Sequence, residues 1–174
     1  MSKKNHILIL EVISTIFVMI LGTLLHFTFE WSNNNVFVGI FSPINESIWE
    51  HLKLIFFPMV IATIIVYLYE GKKVSNYLCA KTLGILNAIF FTIIFFYTYT
   101  GIIGTNFAFV DISIFFIAIM LGQYTSYKKM ESKSYCNNSK AIIILLLLFL
   151  CFLIFTFFPP HIGLFRDPLT GMYG

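Results

Sequence analysis

Long runs of apolar residues, separated by short polar segments, dominate the chain. Each run is about 16–22 residues long, close to the roughly 17–25 residues that a helix needs to cross the hydrocarbon of a bilayer. Strands of a membrane β-barrel would instead alternate over segments of about 10 residues. The pattern therefore predicts an all-α polytopic membrane protein with five transmembrane helices, at residues 7–25, 54–69, 78–99, 107–124 and 141–158.

The polar stretch SPINESIWEHLKL predicts an amphipathic helix that leads into the second span. Ser42 followed by Pro43 is typical of a helix start, with a capping side chain and then a proline at the first helical position. At about 100° per residue, Glu46, Glu50 and Lys53 would share one face of that helix. The two glutamates would then repel each other unless Lys53, a histidine or a cation shares their charge.

The composition indicates that lipid is the solvent for most of the chain. Of its 174 residues, 59% are hydrophobic and 11% are charged, and the mean hydropathy is +0.89. A soluble domain carries about 25% charged residues. The length favours a single transmembrane helical domain over residues 1–174. The first run is too long for the apolar core of a signal peptide and lacks a small-residue cleavage site, so we expect it to be retained as a helix.

The lysines and arginines predict the orientation. With the amino terminus inside, nine of the 11 basic residues are cytoplasmic and two are outside, as the positive-inside rule favours. Five spans then place the carboxyl terminus outside. Contact with the lipid bilayer and its anionic headgroups explains the basic excess without a nucleic-acid partner. The inner set is Lys3, Lys4, Lys72, Lys73, Lys81, Lys128, Lys129, Lys133 and Lys140, and the outer set is Lys53 and Arg166.

This topology places none of Cys79, Cys136 and Cys151 outside, and no pair of them has the spacing of zinc ligands. Disulfides are rare in the reducing cytoplasm. We therefore expect three free thiols.

Polar residues that carry chemistry concentrate at the predicted outer face. They come from every outer segment, so we expect them to converge on one outward-facing pocket. Asp111 lies inside an apolar run, where a carboxylate is costly without a partner. The ligand-binding candidates are Asn45, Glu46, Glu50, His51, Lys53, Asp111, Arg166 and Asp167. The candidates for binding a metal are His26, Glu30, Glu50, His51 and His161.

The tail at residues 159–174 contains prolines and glycines that exclude a regular helix, yet it is too apolar for a solvated segment. Its DPLTG stretch has the composition of a turn. We expect an ordered lid that folds across the outer mouth of the bundle.

Two motifs, SPINESIWEHLKL at residues 42–54 and PPHIGLFRDPLTGMYG at residues 159–174, resemble those of a family of small bacterial integral membrane proteins of unknown function. The resemblance covers essentially the whole chain. It implies a multi-pass protein of the bacterial cytoplasmic membrane and supplies no activity.

Three functions remain open, and whether the protein is an enzyme is undecided. The first is a membrane protein whose outer His/Glu/Asp pocket binds a cation or a small ligand. The second is a metal-dependent membrane hydrolase, with a divalent metal such as zinc as cofactor, although no HExxH signature is present. The third is a non-catalytic scaffold that packs against itself or another membrane protein.

Overall fold

The computed structural model describes residues 3–132 and 136–173. It is 78% helix and contains no strand within those ranges. Lys133 and Gly174, which the sequence analysis assigned to the basic inner segment and to the tail, lie outside the described residues.

Five of the helices are long and apolar enough to cross a membrane, which confirms the predicted number of spans. Each of these five helices is longer than the apolar run that predicted it. The short α2, a single turn, was not predicted. The α-helices are α1 (Lys3–Trp31), α2 (Val36–Gly39), α3 (Ile48–Tyr69), α4 (Tyr77–Ile103), α5 (Ala108–Glu131) and α6 (Asn138–Phe157), and single 3₁₀ turns lie at Gly71–Lys73 and Gly163–Phe165.

The connections between spans gather at two ends of the bundle. One end, here the lysine end, holds the α3–α4 connection, the end of α5 and the start of α6. Hydrogen bonds from Asn76 Nδ2 to Lys129 O (2.8 Å) and from Asn138 Nδ2 to Ser75 O (2.9 Å) tie them together. The other, here the histidine end, holds the α1–α3 connection and the tail. These bonds hold the helix termini of the lysine end together.

Helices α3 and α4 form the centre of the bundle, and the remaining spans expose more of their surface. The core joins side chains from α1, α3, α4, α5 and α6, including Val18, Phe56, Ile85, Ile119 and Phe152. Large apolar side chains on the outward faces of the spans are exposed, as expected for helices that meet lipid.

The predicted helix start at Ser42–Pro43 is wrong. Helix α3 begins at Ile48, and its cap is Ser47, whose hydroxyl accepts a hydrogen bond from Glu50 N at 3.4 Å. Ser42 instead donates to Leu25 O at 2.5 Å, which ties the connection to α1. Because Glu46 precedes the helix, it does not share a helical face with Glu50, as the sequence analysis had expected.

The expectation of three free thiols is also corrected. Cys79 and Cys136 form a disulfide in this structure, with their Cα atoms 6.0 Å apart, and only Cys151 is free among the described cysteines. The reason is tertiary: Asn138 Oδ1 accepts a hydrogen bond from Cys79 N at 3.3 Å, so the start of α6 lies against the start of α4. A separation of 57 positions gives no sign of this contact in the sequence.

The tail is ordered and docked, as predicted. Phe165 is buried, and its ring centroid lies 4.9 Å from that of Trp49 and 5.4 Å from that of Phe155. Asp167 Oδ1 accepts hydrogen bonds from Leu169 N and Thr170 N, which closes the predicted turn. The tail therefore covers the start of α3 and the end of α6 at the histidine end.

Candidate functional site

Glu50 and Lys53 form a closed network at the start of α3. Lys53 Nζ lies 2.6 Å from Glu50 Oε2 and donates to Gly39 O at 2.7 Å. The second carboxylate oxygen, Oε1, accepts from Thr156 Oγ1 of α6 at 3.1 Å. Both charged side chains are almost completely buried. This pair joins α3, α6 and the α1–α3 connection, and each of its charged atoms is bound by groups of the chain itself.

A second group at the same end is open. His26, near the end of α1, meets Glu46 and His51, and one ligand atom from each lies within 4.8 Å of the others. His51 Nε2 is 3.4 Å from Glu46 Oε2, and the two imidazole centroids are 5.3 Å apart. The side chains of His51 and Glu46 are 29% and 44% exposed, so solvent and ions reach them. Among the described residues, this is the group of three that could hold a metal ion.

The backbone fixes how His51 is presented. Its Nδ1 lies 2.9 Å from Ser47 O, one helical turn earlier. A carbonyl only accepts, so Nδ1 carries a proton. Nε2 faces the Glu46 carboxylate, with which it pairs when the ring is protonated and beside which it offers a lone pair to a metal ion when the ring is neutral. Metal-ligating histidines typically donate their second N–H to a carbonyl or carboxylate in this way.

His26 lacks a comparable partner. Its Nδ1 is buried and makes no hydrogen bond within residues 3–132 and 136–173. A buried nitrogen without a partner is costly, and an ion or a water molecule would relieve that cost. His26 therefore stands beside Glu46 and His51 with a nitrogen still available.

The structure places Asp111 in a different cluster. Its carboxylate accepts hydrogen bonds from the Tyr99 hydroxyl and from Asn106 Nδ2, the latter at 3.0 Å. The Tyr99 hydroxyl also accepts from Phe107 N at 3.2 Å. These contacts pin the α4–α5 turn and supply the partner that an intramembrane carboxylate requires, without a histidine or a basic residue.

The remaining candidates make local contacts. Arg166 Nε donates to Gly171 O at 3.2 Å, and the His161 ring lies 4.8 Å from the Tyr173 ring, so both organise the tail together with Asp167. Asn45 Oδ1 accepts from Ser47 N just before α3. Glu30 is exposed on the last turn of α1, one helical turn beyond His26.

A family model matches residues 1–174, the full length of the chain. The chain belongs to a family of unknown function, DUF6512. No curated protein matches it, and no solved structure matches it. The DUF6512 assignment agrees with the resemblance drawn from the two motifs. It brings no activity with it, so the chemistry of this DUF6512 chain has to be argued from its side chains.

Three ligand atoms from His26, Glu46 and His51 suit a divalent ion of the zinc class. Two neutral imidazoles and one carboxylate provide one negative charge, and zinc favours nitrogen and carboxylate ligands at about 2.0–2.2 Å. Ligands in a tetrahedron at that distance lie roughly 3.4 Å apart. The His51–Glu46 separation of 3.4 Å already meets this, and the ligand atom of His26 lies within 4.8 Å of both.

Sequence reasoning missed one polar contact within the DUF6512 bundle. Glu11, a charged residue within α1, lies 2.6 Å from Lys81 Nζ of α4. Lys81 was counted with the inner basic residues, although it lies four residues inside an apolar helix. A charged residue within a span predicts an oppositely charged partner, and that rule would have paired them.

Proposed function

We propose that this chain is a multi-pass protein of the bacterial cytoplasmic membrane that binds a divalent metal ion of the zinc class at its extracytoplasmic face. The ligands are His26, Glu46 and His51. The observation that carries the proposal is the convergence of one ligand atom each from His26, Glu46 and His51 within 4.8 Å of one another. His26 Nδ1, which is buried and has no partner among the described residues, supports it.

The orientation rests on the distribution of basic residues. Lysines gather at the lysine end, whereas Lys53 is buried at the histidine end and Arg166 is in the tail. The positive-inside rule then puts the lysine end in the cytoplasm. The metal site consequently faces outwards, where it meets the ions of the surrounding medium.

Metal binding is tested on the full chain, purified in detergent without chelators and titrated with Zn²⁺ in a calorimeter. We expect one ion per chain in the wild type. Replacing a ligand in His26→Ala, Glu46→Gln or His51→Ala should weaken binding by about 10–100-fold or more, since even the loss of an orienting contact has that effect. His161→Ala is the matched control, because His161 lies at the same end but stacks on Tyr173.

The outcome separates metal binding from a scaffold role. If the wild type binds no ion, or if His161→Ala weakens binding as much as His51→Ala does, the metal site is refuted. A folded protein without a metal would then favour the scaffold.

A metal-dependent hydrolase is a second candidate, and one feature favours it. Three protein ligands leave a fourth zinc position for water, and zinc lowers the pKa of that water towards neutrality. Zinc-loaded protein should then cleave activated esters faster than the metal-free protein, and His51→Ala should abolish the difference. Equal rates of ester cleavage with and without zinc would rule out the hydrolase and leave metal binding as the proposed function.

A further inference from the structure

A second polar cluster lies inside the bundle, towards the lysine end. Glu11 of α1 and Lys81 of α4 form an ion pair whose side chains are 5% and 1% exposed. Lys81 Nζ also donates to Gln123 Oε1 of α5 at 3.0 Å. One polar contact therefore joins three spanning helices, in a region where an isolated charge would be costly.

Half of the Glu11 carboxylate is left unused. Oε1 binds Lys81, but Oε2 is buried and has no hydrogen-bond partner anywhere in the described part of the chain. Buried polar atoms are almost always satisfied by protein or by water. The oxygen therefore indicates a donor that is not a side chain of this bundle.

A cavity of about 30 Å³ provides the space for such a donor. It is bounded by the first turns of α1, the end of α3, the Gly71–Lys73 turn, the start of α4 and Met130 of α5, and Glu11 is part of its wall. A water molecule needs about 10–15 Å³ of such space, so two fit. His6 and Glu70, which are partly exposed, also line the cavity and place its mouth at the lysine end.

The mouth carries a second unsatisfied atom. His6 Nε2 is buried, lies 3.9 Å from Glu70 Oε1 and makes no hydrogen bond within the described ranges. That distance is too long for a direct hydrogen bond. Water in the cavity would serve His6 Nε2 at one end and Glu11 Oε2 at the other.

We propose that this cavity is a hydrated inlet through which the Glu11 carboxylate exchanges a proton with the solvent at the lysine end. A hydronium ion gives its proton to Glu11 Oε2, which leaves one water molecule and a neutral carboxylic acid, and the reverse step returns the proton. Only O–H bonds form and break. The polar groups that surround Glu11 from its own and the neighbouring elements are His6, Glu70, Lys73, Tyr77, Lys81 and Gln123.

Protonation would have a mechanical effect on the bundle. A neutral Glu11 no longer compensates the charge of Lys81, which then keeps only hydrogen bonds to neutral oxygens, Glu11 Oε1 and Gln123 Oε1. The contact between α1 and α4 weakens while that between α4 and α5 persists. The inlet thus links the proton concentration at the lysine end to the position of α1.

Infrared difference spectroscopy on the full chain in lipid nanodiscs tests the proton exchange. Between acidic and alkaline buffer, the carbonyl stretch of a protonated carboxyl should appear and disappear, and it should shift to lower frequency in D₂O. Glu11→Gln should abolish this band. Because that variant leaves Lys81 buried without its counter-ion, the second variant is Glu11→Gln with Lys81→Met, which removes both charges.

Glu50→Gln is the matched control, since Glu50 is an equally buried carboxylate whose two oxygens are both hydrogen-bonded. The band should survive in this variant, which is combined with Lys53→Met so that no buried charge is left uncompensated. If the folded wild type shows no band that the Glu11 variants remove, or if Glu50→Gln removes it instead, the proposal is overturned.

The route is tested by filling the cavity. Leu10 lines it, so Leu10→Phe should slow the D₂O shift of the Glu11 band severalfold, and Ile7→Phe serves if the first variant does not fold. Ile13→Phe, on the outward face of the same helix, should leave the rate unchanged. Equal exchange rates in a folded cavity variant and in Ile13→Phe would show that the cavity is not the inlet.

Discussion

Lys53 is buried completely, yet each proton of its ammonium has an acceptor. It donates to Gly39 O, to Ser42 O at 3.4 Å and to Glu50 Oε2, the last of which also balances its charge. Its contribution to the fold therefore depends on Glu50 remaining opposite. Removing one member of a buried pair leaves the other charge uncompensated.

Lys53→Met should accordingly lower the free energy of unfolding by about 3–5 kcal/mol. Lys73→Met is the control: Lys73 pairs with Glu70 at 2.9 Å, but its side chain is 66% exposed, so the loss should stay below about 1 kcal/mol. Denaturant unfolding in detergent micelles, followed by circular dichroism, measures both. A similar loss in the two variants would contradict the reading of Lys53 as a structural anchor.

The sequence predicted which types of polar residue lie at this end of the bundle, but not which of them contact each other. Topology alone brought His26, Glu46 and His51 to one face. It could not show that Glu50 and Lys53 would satisfy each other, because Thr156, which completes their network, lies 106 positions after Glu50. Nor could it separate Asp111, whose partner Tyr99 was read as part of an apolar span.

At the scale of helices, α4 and α5 touch through two glycines. A Cβ atom on Gly122 would lie 2.7 Å from Gly84 O, and one on Gly84 would meet Gly122 O and lie 2.6 Å from Ser126 Oγ. Small residues let helix backbones approach closely in membranes, where packing rather than the hydrophobic effect drives association. The α4–α5 contact depends on the absence of these side chains.

Gly84→Ala should therefore destabilise the bundle by about 1–3 kcal/mol through overpacking. Gly101→Ala in the same helix meets no atom within 4 Å, and it should be neutral or stabilise by up to about 1 kcal/mol because alanine favours helix. Thermal unfolding of the two variants in the same detergent compares them. A stable Gly84→Ala protein would mean that the two backbones have room to separate.

The tail is the other element with a measurable role. Phe165 packs against Trp49 and Phe155, so cleavage after it should be slow under limited proteolysis. Phe165→Ala should release the tail and speed its removal severalfold, whereas Leu169→Ala, at an exposed position, should not. Rapid removal from the wild type would contradict the docked lid.

The five spans could be predicted because apolar runs long enough to cross a bilayer are rare outside transmembrane helices. The start of α3 was not, since Ser42–Pro43 and Ser47 both carry capping chemistry and tertiary contacts decide between them. The Ser42 hydroxyl donates a hydrogen bond to Leu25 O and accepts one from Phe29 N, both of α1. Local sequence therefore predicted the helix and misplaced its first turn by about five residues.

At the scale of the whole molecule, the proposed orientation decides which side of the membrane the proposed metal site faces. In intact cells, a membrane-impermeant thiol reagent should label Thr170→Cys and not Lys129→Cys, each in a background without native cysteines. Labelling of Lys129→Cys but not of Thr170→Cys would show that the protein has the opposite orientation in the membrane.

The Glu11–Lys81 pair also constrains how the chain is made. Lys81 follows Glu11 by about 70 positions, and ribosomes add about 5–20 residues per second. The first helix thus leaves the ribosome roughly 4–14 seconds before its counter-ion exists. During that interval α1 carries a carboxylate that the bilayer disfavours. We therefore expect α1 to reach its final position in the membrane only after α4 has been synthesised.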